Sequence, residues 1–216
     1  MNSLLAYYSK NLKRLPDGYQ EYRFLFKNNS DKSIYIDTGL TLASTMTWEL
    51  IANLRGTGNT VDCPPIGTGN SKTDSNYALW LHDNGSRVSA EAVFGSGSNS
   101  SNVVELSIDT TATHKYKLVL ATGQLYIDDT LVGTASSVGG VNNAKKLIIS
   151  GCWRGSAVQA VFKGRQGETK IYDNGGLVRD YVPCSRLSDE HPGFYELVVG
   201  TFHDMTGTNT WISDED

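Results

Sequence analysis

The chain is poor in the residues that build most metal and nucleophile sites: among 216 residues there are three cysteines, four histidines, three methionines and five prolines. Cys63, Cys152 and Cys184 are odd in number and form no C-x-x-C, so neither a disulfide framework nor a zinc site is indicated. Buried thiols are the expectation, with a single bridge between 63 and 152 or between 152 and 184 left open. His82, His114, His191 and His203 are scattered, with no H-E-x-x-H and no i, i+2 pair. There is no G-x-S-x-G, no phosphate-cradling G-x-x-x-x-G-K-[ST] and no EF-hand loop. Nineteen Lys and Arg against 23 Asp and Glu give a net charge of −4. The basic residues form no stripe, which sets nucleic acid aside as a main partner. No apolar run approaches the roughly 20 residues that span a bilayer. Leu4-Leu5-Ala6-Tyr7-Tyr8 is too short for a signal peptide and lacks preceding positive charge, so the expectation is a soluble chain, unsecreted as written, with no membrane insertion.

What the chain has in quantity is turn and strand material: 22 Gly, 11 Tyr and many Ser, Thr and Asn. These favour short strands joined by turns over packed helices. A chain of 216 residues buries roughly 70% of its unfolded surface and needs no staple. Strand-like runs recur at Ile34 to Asp37, Thr45 to Leu54, Tyr77 to His82, Arg87 to Phe94, Val103 to Asp109 and Lys115 to Ala121. They continue at Leu125 to Asp128, Lys146 to Ser150 and Val158 to Phe162. This spacing predicts an all-β antiparallel sandwich. Tyr116, Leu118 and Leu120 share one strand face, and Leu125 and Ile127 repeat the pattern after a turn at Thr122-Gly123. Between Gly56 and Ser75, Pro and Gly outnumber apolar residues and no element is assigned. Residues 1–14 read differently: Leu4, Tyr8 and Leu12 recur at helical spacing, with Lys10, Lys13 and Arg14 towards the end. This predicts a short helix, serving either as a docking arm or as a segment packed on its own sandwich.

The most specific stretch is Lys170 to Phe202. Ile171-Tyr172 leads into Asp173-Asn174-Gly175-Gly176, residues that tolerate positive φ. Leu177 to Val182 forms the returning strand, with Pro183 removing a ladder donor at its end. The run K-I-Y-D-x-G-x-L-V-R-D-Y-V-P-C, then G-F-Y-E-L-V and T-F, resembles the closing part of laminin-G-like jelly rolls of the concanavalin A-like lectin/glucanase superfamily. Leu15-Pro16-Asp17-Gly18-Tyr19 with Ser33-Ile34-Tyr35-Ile36-Asp37-Thr38-Gly39 looks like the opening of the same domain type, and the hairpin from His114 to Asp129 looks like its middle. The resemblance covers residues 15 to 212 and implies one jelly-roll domain over 15–216, of a kind found on phage structural and bacterial surface proteins. It further implies a lectin-like, non-catalytic domain of a phage virion (tail, fibre or capsid decoration) that binds a host-surface glycan or polysaccharide. Alternatives are a purely structural virion domain contacting other virion proteins, or an adhesin or carbohydrate-binding module at a bacterial surface or outside the cell. A homo-oligomer is compatible with each.

Candidate chemistry is sparse. Glycoside hydrolases of the superfamily carry E-x-D-x-E or E-x-D-x-x-E; here Glu105 and Asp109 in ELSID would share a side about 13 Å apart, with Ser107 between them. That spacing predicts a solvated strand. Ile36-Asp37-Thr38-Gly39 contains the aspartic-protease tripeptide once and reads as a strand-to-turn junction. Asp83-Asn84, Asp128-Asp129 and Asp173-Asn174 offer oxygens in turns, and the resemblance allows a structural calcium, but turn formation is the expected role. Sugar recognition needs an aromatic face with amide, carboxylate or guanidinium groups beside it. Two segments supply that mixture: Trp80, His82, Asp83 and Asn84, and Trp153 with Arg154 at the end of the strand Lys146 to Ser150. Trp48 and Trp211 are expected in the core and a closing strand.

Overall fold

Period-two alternation of large apolar side chains is what lets one strand face a core while its other face meets solvent, and the chain uses it throughout. A computed structural model describes residues 14–27, 35–55, 61–69, 76–84, 86–95, 102–141, 144–154, 157–205 and 210–214. The predicted helix over residues 1–14 lies, up to Lys13, outside the described residues.

Two antiparallel sheets enclose one core. The larger runs, edge to edge, through β11 (Thr130–Thr134), β10 (Gln124–Ile127), β9 (His114–Val119), β4 (Met46–Asn53), β15 (Gly164–Asp173), β16 (Gly176–Arg186), β17 (His191–Glu196) and β18 (Thr201–Asp204). Three further strands attach beside it: β1 (Tyr19–Glu21) on β16, β2 (Phe24–Lys27) on β15, and β19 (Thr210–Ser213) on β2. The second sheet has the order β3 (Ile36–Thr41), β12 (Lys146–Ile149), β5 (Val61–Gly67), β6 (Asn76–Asp83), β7 (Val88–Gly95) and β8 (Val103–Ser107). A separate hairpin pairs β13 (Gly151–Arg154) with β14 (Ala157–Val161). The chain is thus the expected all-β sandwich.

Trp48, Leu50, Tyr116, Leu118, Leu125, Ile171, Tyr181 and Phe194 from the large sheet meet Ile36, Tyr77, Leu79, Leu81, Ala90, Phe94, Leu147 and Ile149 from the small one. Each large side chain so enclosed contributes about 1.5–3 kcal/mol. The turns form as their chemistry dictates. Asn174 and Gly175 close β15 onto β16 with φ of 49° and 79°, and Asp128 and Asp129 close β10 onto β11 with φ of 50° and 64°.

Three elements depart from the sequence reading. The unassigned stretch holds β5, an interior strand of the small sheet, and its Pro64-Pro65 falls where the register with β6 shifts between Cys63 and Ile66. A bulge is where a strand tolerates a missing donor. Pro183 does not end its strand; β16 continues to Arg186, because its partner changes there from β15, which it matches up to Tyr181, to β1, which takes over at Cys184. Trp153 and Arg154 do not finish the strand from Lys146: Ser150, at φ 62°, breaks it and sends Gly151–Arg154 into a separate hairpin. The three cysteines are free and buried, so neither suggested bridge is formed.

Candidate functional site

Because Tyr77, Leu79 and Leu81 point into the core, alternation places Ala78, Trp80 and His82 on the outer face of the small sheet. Side chains two apart on a strand stand side by side, and the Trp80 and His82 rings lie 6.3 Å apart at 10° between planes. The neighbouring strands complete the surface. Trp80 pairs with Glu91 on β7, which pairs with Glu105 on β8, and His82 pairs with Ser89, which pairs with Ser107.

Two carboxylates facing each other across a ladder repel, and here one guanidinium sits with both. Arg87 donates through Nε to Glu105 Oε1 at 2.6 Å and through Nη2 to Glu91 Oε2, and Ser89 Oγ adds a bond to Glu105 at 2.6 Å. The Arg87 bonds, with Ser89 behind them, outweigh desolvation and hold the Glu105 carboxyl down at about 2. Glu105 is therefore a fixed acceptor and not a proton donor near neutral pH. Glu91 is almost fully buried within this network while the indole of Trp80 stays part-exposed. A part-exposed indole beside an ordered array of carboxylate, guanidinium and hydroxyl groups is chemically suited to recognising a polyhydroxylated ring.

The other sequence candidates fall around this surface in different roles. The hairpin β13–β14 folds over the outer face of the same sheet, where Trp153 packs with Ile148, Val158 and Tyr35. Its Nε1 donates to the Lys146 carbonyl at 2.9 Å, and Lys145 Nζ stands 5.2 Å over the ring. Trp153 thus anchors the hairpin against Ile148 of β12, which β5 separates from the strand of Trp80. His82 and Asp83 are buried. Asn84 accepts from Ser86 N, Ser86 Oγ and Arg87 N at 3.0–3.3 Å, so its side chain builds the turn that delivers Arg87. The backbone of Arg154 pairs with Ala157, and its side chain lies outside what the structure describes. Arg87, Ser89 and Glu91 were missing from the sequence candidates, and Glu105 was weighed there only as half of a hydrolase pair and read as part of a solvated strand. A signal was present: Arg87, Ser89 and Glu91 recur at period two against Val88, Ala90 and Ala92.

The weaker chemical candidates resolve locally. Asp109 lies past the end of β8 and accepts from Thr111 N and Oγ1 at 3.0 and 2.6 Å, so it does not join Glu105. Asp37 accepts from Gly39 N at 2.9 Å, a local turn inside β3, which runs on to Thr41. Asp128 holds His114 Nδ1 and Lys115 N, and Asp129 holds Lys115 Nζ. Among the described residues no group of three or more His, Cys, Asp or Glu side chains is placed to hold a metal ion. No described helix is long and apolar enough to cross a membrane.

No protein-family profile matches the chain, and no curated protein does. Solved structures do match, among them domains LG4-5 of the mouse laminin alpha1 chain, at 10% identity and a TM-score of 0.43. That match covers 76% of this chain and 43% of the laminin chain, so this chain spans less than half of its length. No functional residue is carried over from it.

Proposed function

We propose that this chain is a non-catalytic, lectin-like recognition domain that binds a glycan or cell-surface polysaccharide through the outer face of β6, β7 and β8. The observation that carries the reading is the part-exposed Trp80 beside the Arg87–Glu91–Glu105–Ser89 network. The indole offers a face for the C–H surface of a sugar, and the flanking ionic groups are preordered to take its hydroxyls without paying for rearrangement. Display on a phage virion is part of the same proposal, with residues 1–14 as the arm that joins other virion proteins. Arg14, where that arm meets the sandwich, bonds Glu21 at 2.5 Å and also Glu168, which suits a fixed attachment point.

A glycan array tests the recognition. The expected result is binding to a restricted glycan set that falls about 30-fold or more in Trp80→Ala, the loss typical of an aromatic hot spot, with the circular dichroism of the fold unchanged. Undiminished binding in Trp80→Ala moves the site elsewhere, and silence across a broad array with an intact fold favours a purely structural domain. Mass spectrometry of purified particles, with and without deletion of residues 1–13, tests the virion arm.

A further inference from the structure

The two oxygens of the Glu105 carboxylate are used unequally. Oε1 accepts from Arg87 Nε and from Ser89 Oγ, both at 2.6 Å, while Oε2 meets no donor among the described residues. The side chain is 40% exposed, which leaves that second oxygen to solvent or to a ligand. Two donors on one oxygen fix the direction of the group. The carboxyl is also held down at about 2, so Oε2 belongs to a permanent anion at neutral pH.

The register of the sheet sets Glu91 between Trp80 and Glu105, so the indole and the carboxylate stand two strands apart, about 10 Å between their backbones. A saccharide lying across β7 reaches both. Within the network, Arg87 supplies one positive charge against the two negative charges of Glu91 and Glu105. The excess is negative, and Arg87 is already engaged with both acids. An acidic sugar therefore meets repulsion here, whereas a cationic one meets a fixed anion. A charge-assisted bond is about twice as strong as a neutral one, so Oε2 gains more from an ammonium than from a hydroxyl. The part-exposed indole of Trp80 works in the same direction, since its ring face attracts a cation as well as a C–H surface.

We propose that this face selects amino saccharides, sugars with an unacetylated amine, the ammonium donating to Glu105 Oε2 and the ring lying on Trp80. The inference rests on the glycan reading of the face and narrows it. Calorimetric titration of the full chain with the tetramers of glucosamine, N-acetylglucosamine and galacturonate, at about pH 6.5, well below the ordinary amine range, tests it. The glucosamine tetramer should bind at least about tenfold tighter than the N-acetylated one, the worth of a hydrogen bond to a charged group, and the galacturonate tetramer should bind weakest. Glu105→Gln keeps an Oε1 acceptor for Arg87 and Ser89 and should collapse the amine preference. Asp109→Asn, which removes a like charge past the end of β8, should leave it as in wild type. Added sodium chloride should weaken the glucosamine tetramer and spare the N-acetylated one. Trp80-dependent binding without a preference for the amine, or a preference that survives Glu105→Gln, overturns this inference and leaves the glycan reading standing. Silence of the glucosamine tetramer does the same where the array finds another Trp80-dependent glycan, and sinks both readings where the array is silent too.

Discussion

The hydroxyl of Tyr116 is fully enclosed and meets no hydrogen-bonding partner among the described residues, whereas that of Tyr77, equally buried at its ring, donates to the Gly139 carbonyl at 2.8 Å. Burial pushes both phenols up, Tyr116 the further, so neither ionises in the ordinary range. An unmet buried polar group costs free energy and a met one returns some, so the same deletion should act oppositely at the two sites. Tyr116→Phe is expected to be neutral or up to about 1 kcal/mol more stable, and Tyr77→Phe about 1 kcal/mol less stable, by urea midpoint. A clear loss in Tyr116→Phe would mean that the hydroxyl has a partner after all. Gly193 makes a second contrast. A Cβ there would stand 2.3 Å from the His203 carbonyl oxygen and 2.6 Å from Phe202 Cζ, whereas one at Gly140 meets open space. Gly193→Ala should cost about 1–3 kcal/mol through overpacking, and Gly140→Ala should stay within about 0.5 kcal/mol. Equal midpoints for the two variants would show that β18, with the His203 carbonyl and the Phe202 ring, shifts away at no cost.

At the scale of elements, β15 and β16 carry a charged cluster on the outer face of the large sheet. Lys170 Nζ lies 2.8 Å from Glu168 Oε1 and 3.9 Å from Asp180 Oδ2, with Arg14 on Glu168 and Glu21. Burial, reinforced by the Glu168 charge, pushes the Asp180 carboxyl up to about 6. Burial would raise Glu168 too, but Lys170 and Arg14 overcome it and hold that carboxyl below its ordinary value. The two acids therefore act in opposite directions on stability. Asp180 holds its proton more tightly folded than unfolded, so its contribution is complete below about pH 4 and is lost as pH rises through 6, a change of about 2–3 kcal/mol. The contribution of Glu168 is present above its unfolded value, about 4.3, and is lost as pH falls below it. In Asp180→Asn the decline between pH 4 and 6 should vanish, leaving a variant more stable than wild type at pH 7.5 and not at pH 4. Denaturant midpoints at those pH values check this, and parallel curves for the two proteins would refute the assignment. Element boundaries were legible wherever alternation was clean, as in β4, β6, β7 and β9. They were missed where a local rule was overridden by what lay beside the strand. Pro64-Pro65 sits at a bulge, Pro183 at a change of partner, and Ser150 in a conformation that glycine more often supplies.

Over the whole molecule, the three thiols are free and buried, and burial pushes Cys152, with Cys63 as a charge neighbour, and Cys184 up to about 12. Thiolate is the reactive form, so native protein should release almost no colour with Ellman's reagent over minutes and all three thiols in denaturant. Reductant should leave the unfolding midpoint unchanged; a midpoint lowered by reductant would show that a bridge forms. The sequence by itself determined the fold class, most strands, the two φ-positive turns after Asp173 and Ile127, and that Trp80 and His82 share a strand face; which side of the sheet that face is on came from the packing of Tyr77, Leu79 and Leu81 into the core. What the sequence determined follows from contacts local in the chain: period-two alternation selects a face, and Asn, Asp and Gly tolerate a tight turn. Only the tertiary structure decided which outward residues became neighbours. Glu105 reaches Arg87 and Glu91 because β8 pairs with β7 in one register. Periodicity settles the side of the sheet a residue occupies, but lateral order and register are set by packing between strands, and the Trp80 surface with its Arg87 network is a product of that packing.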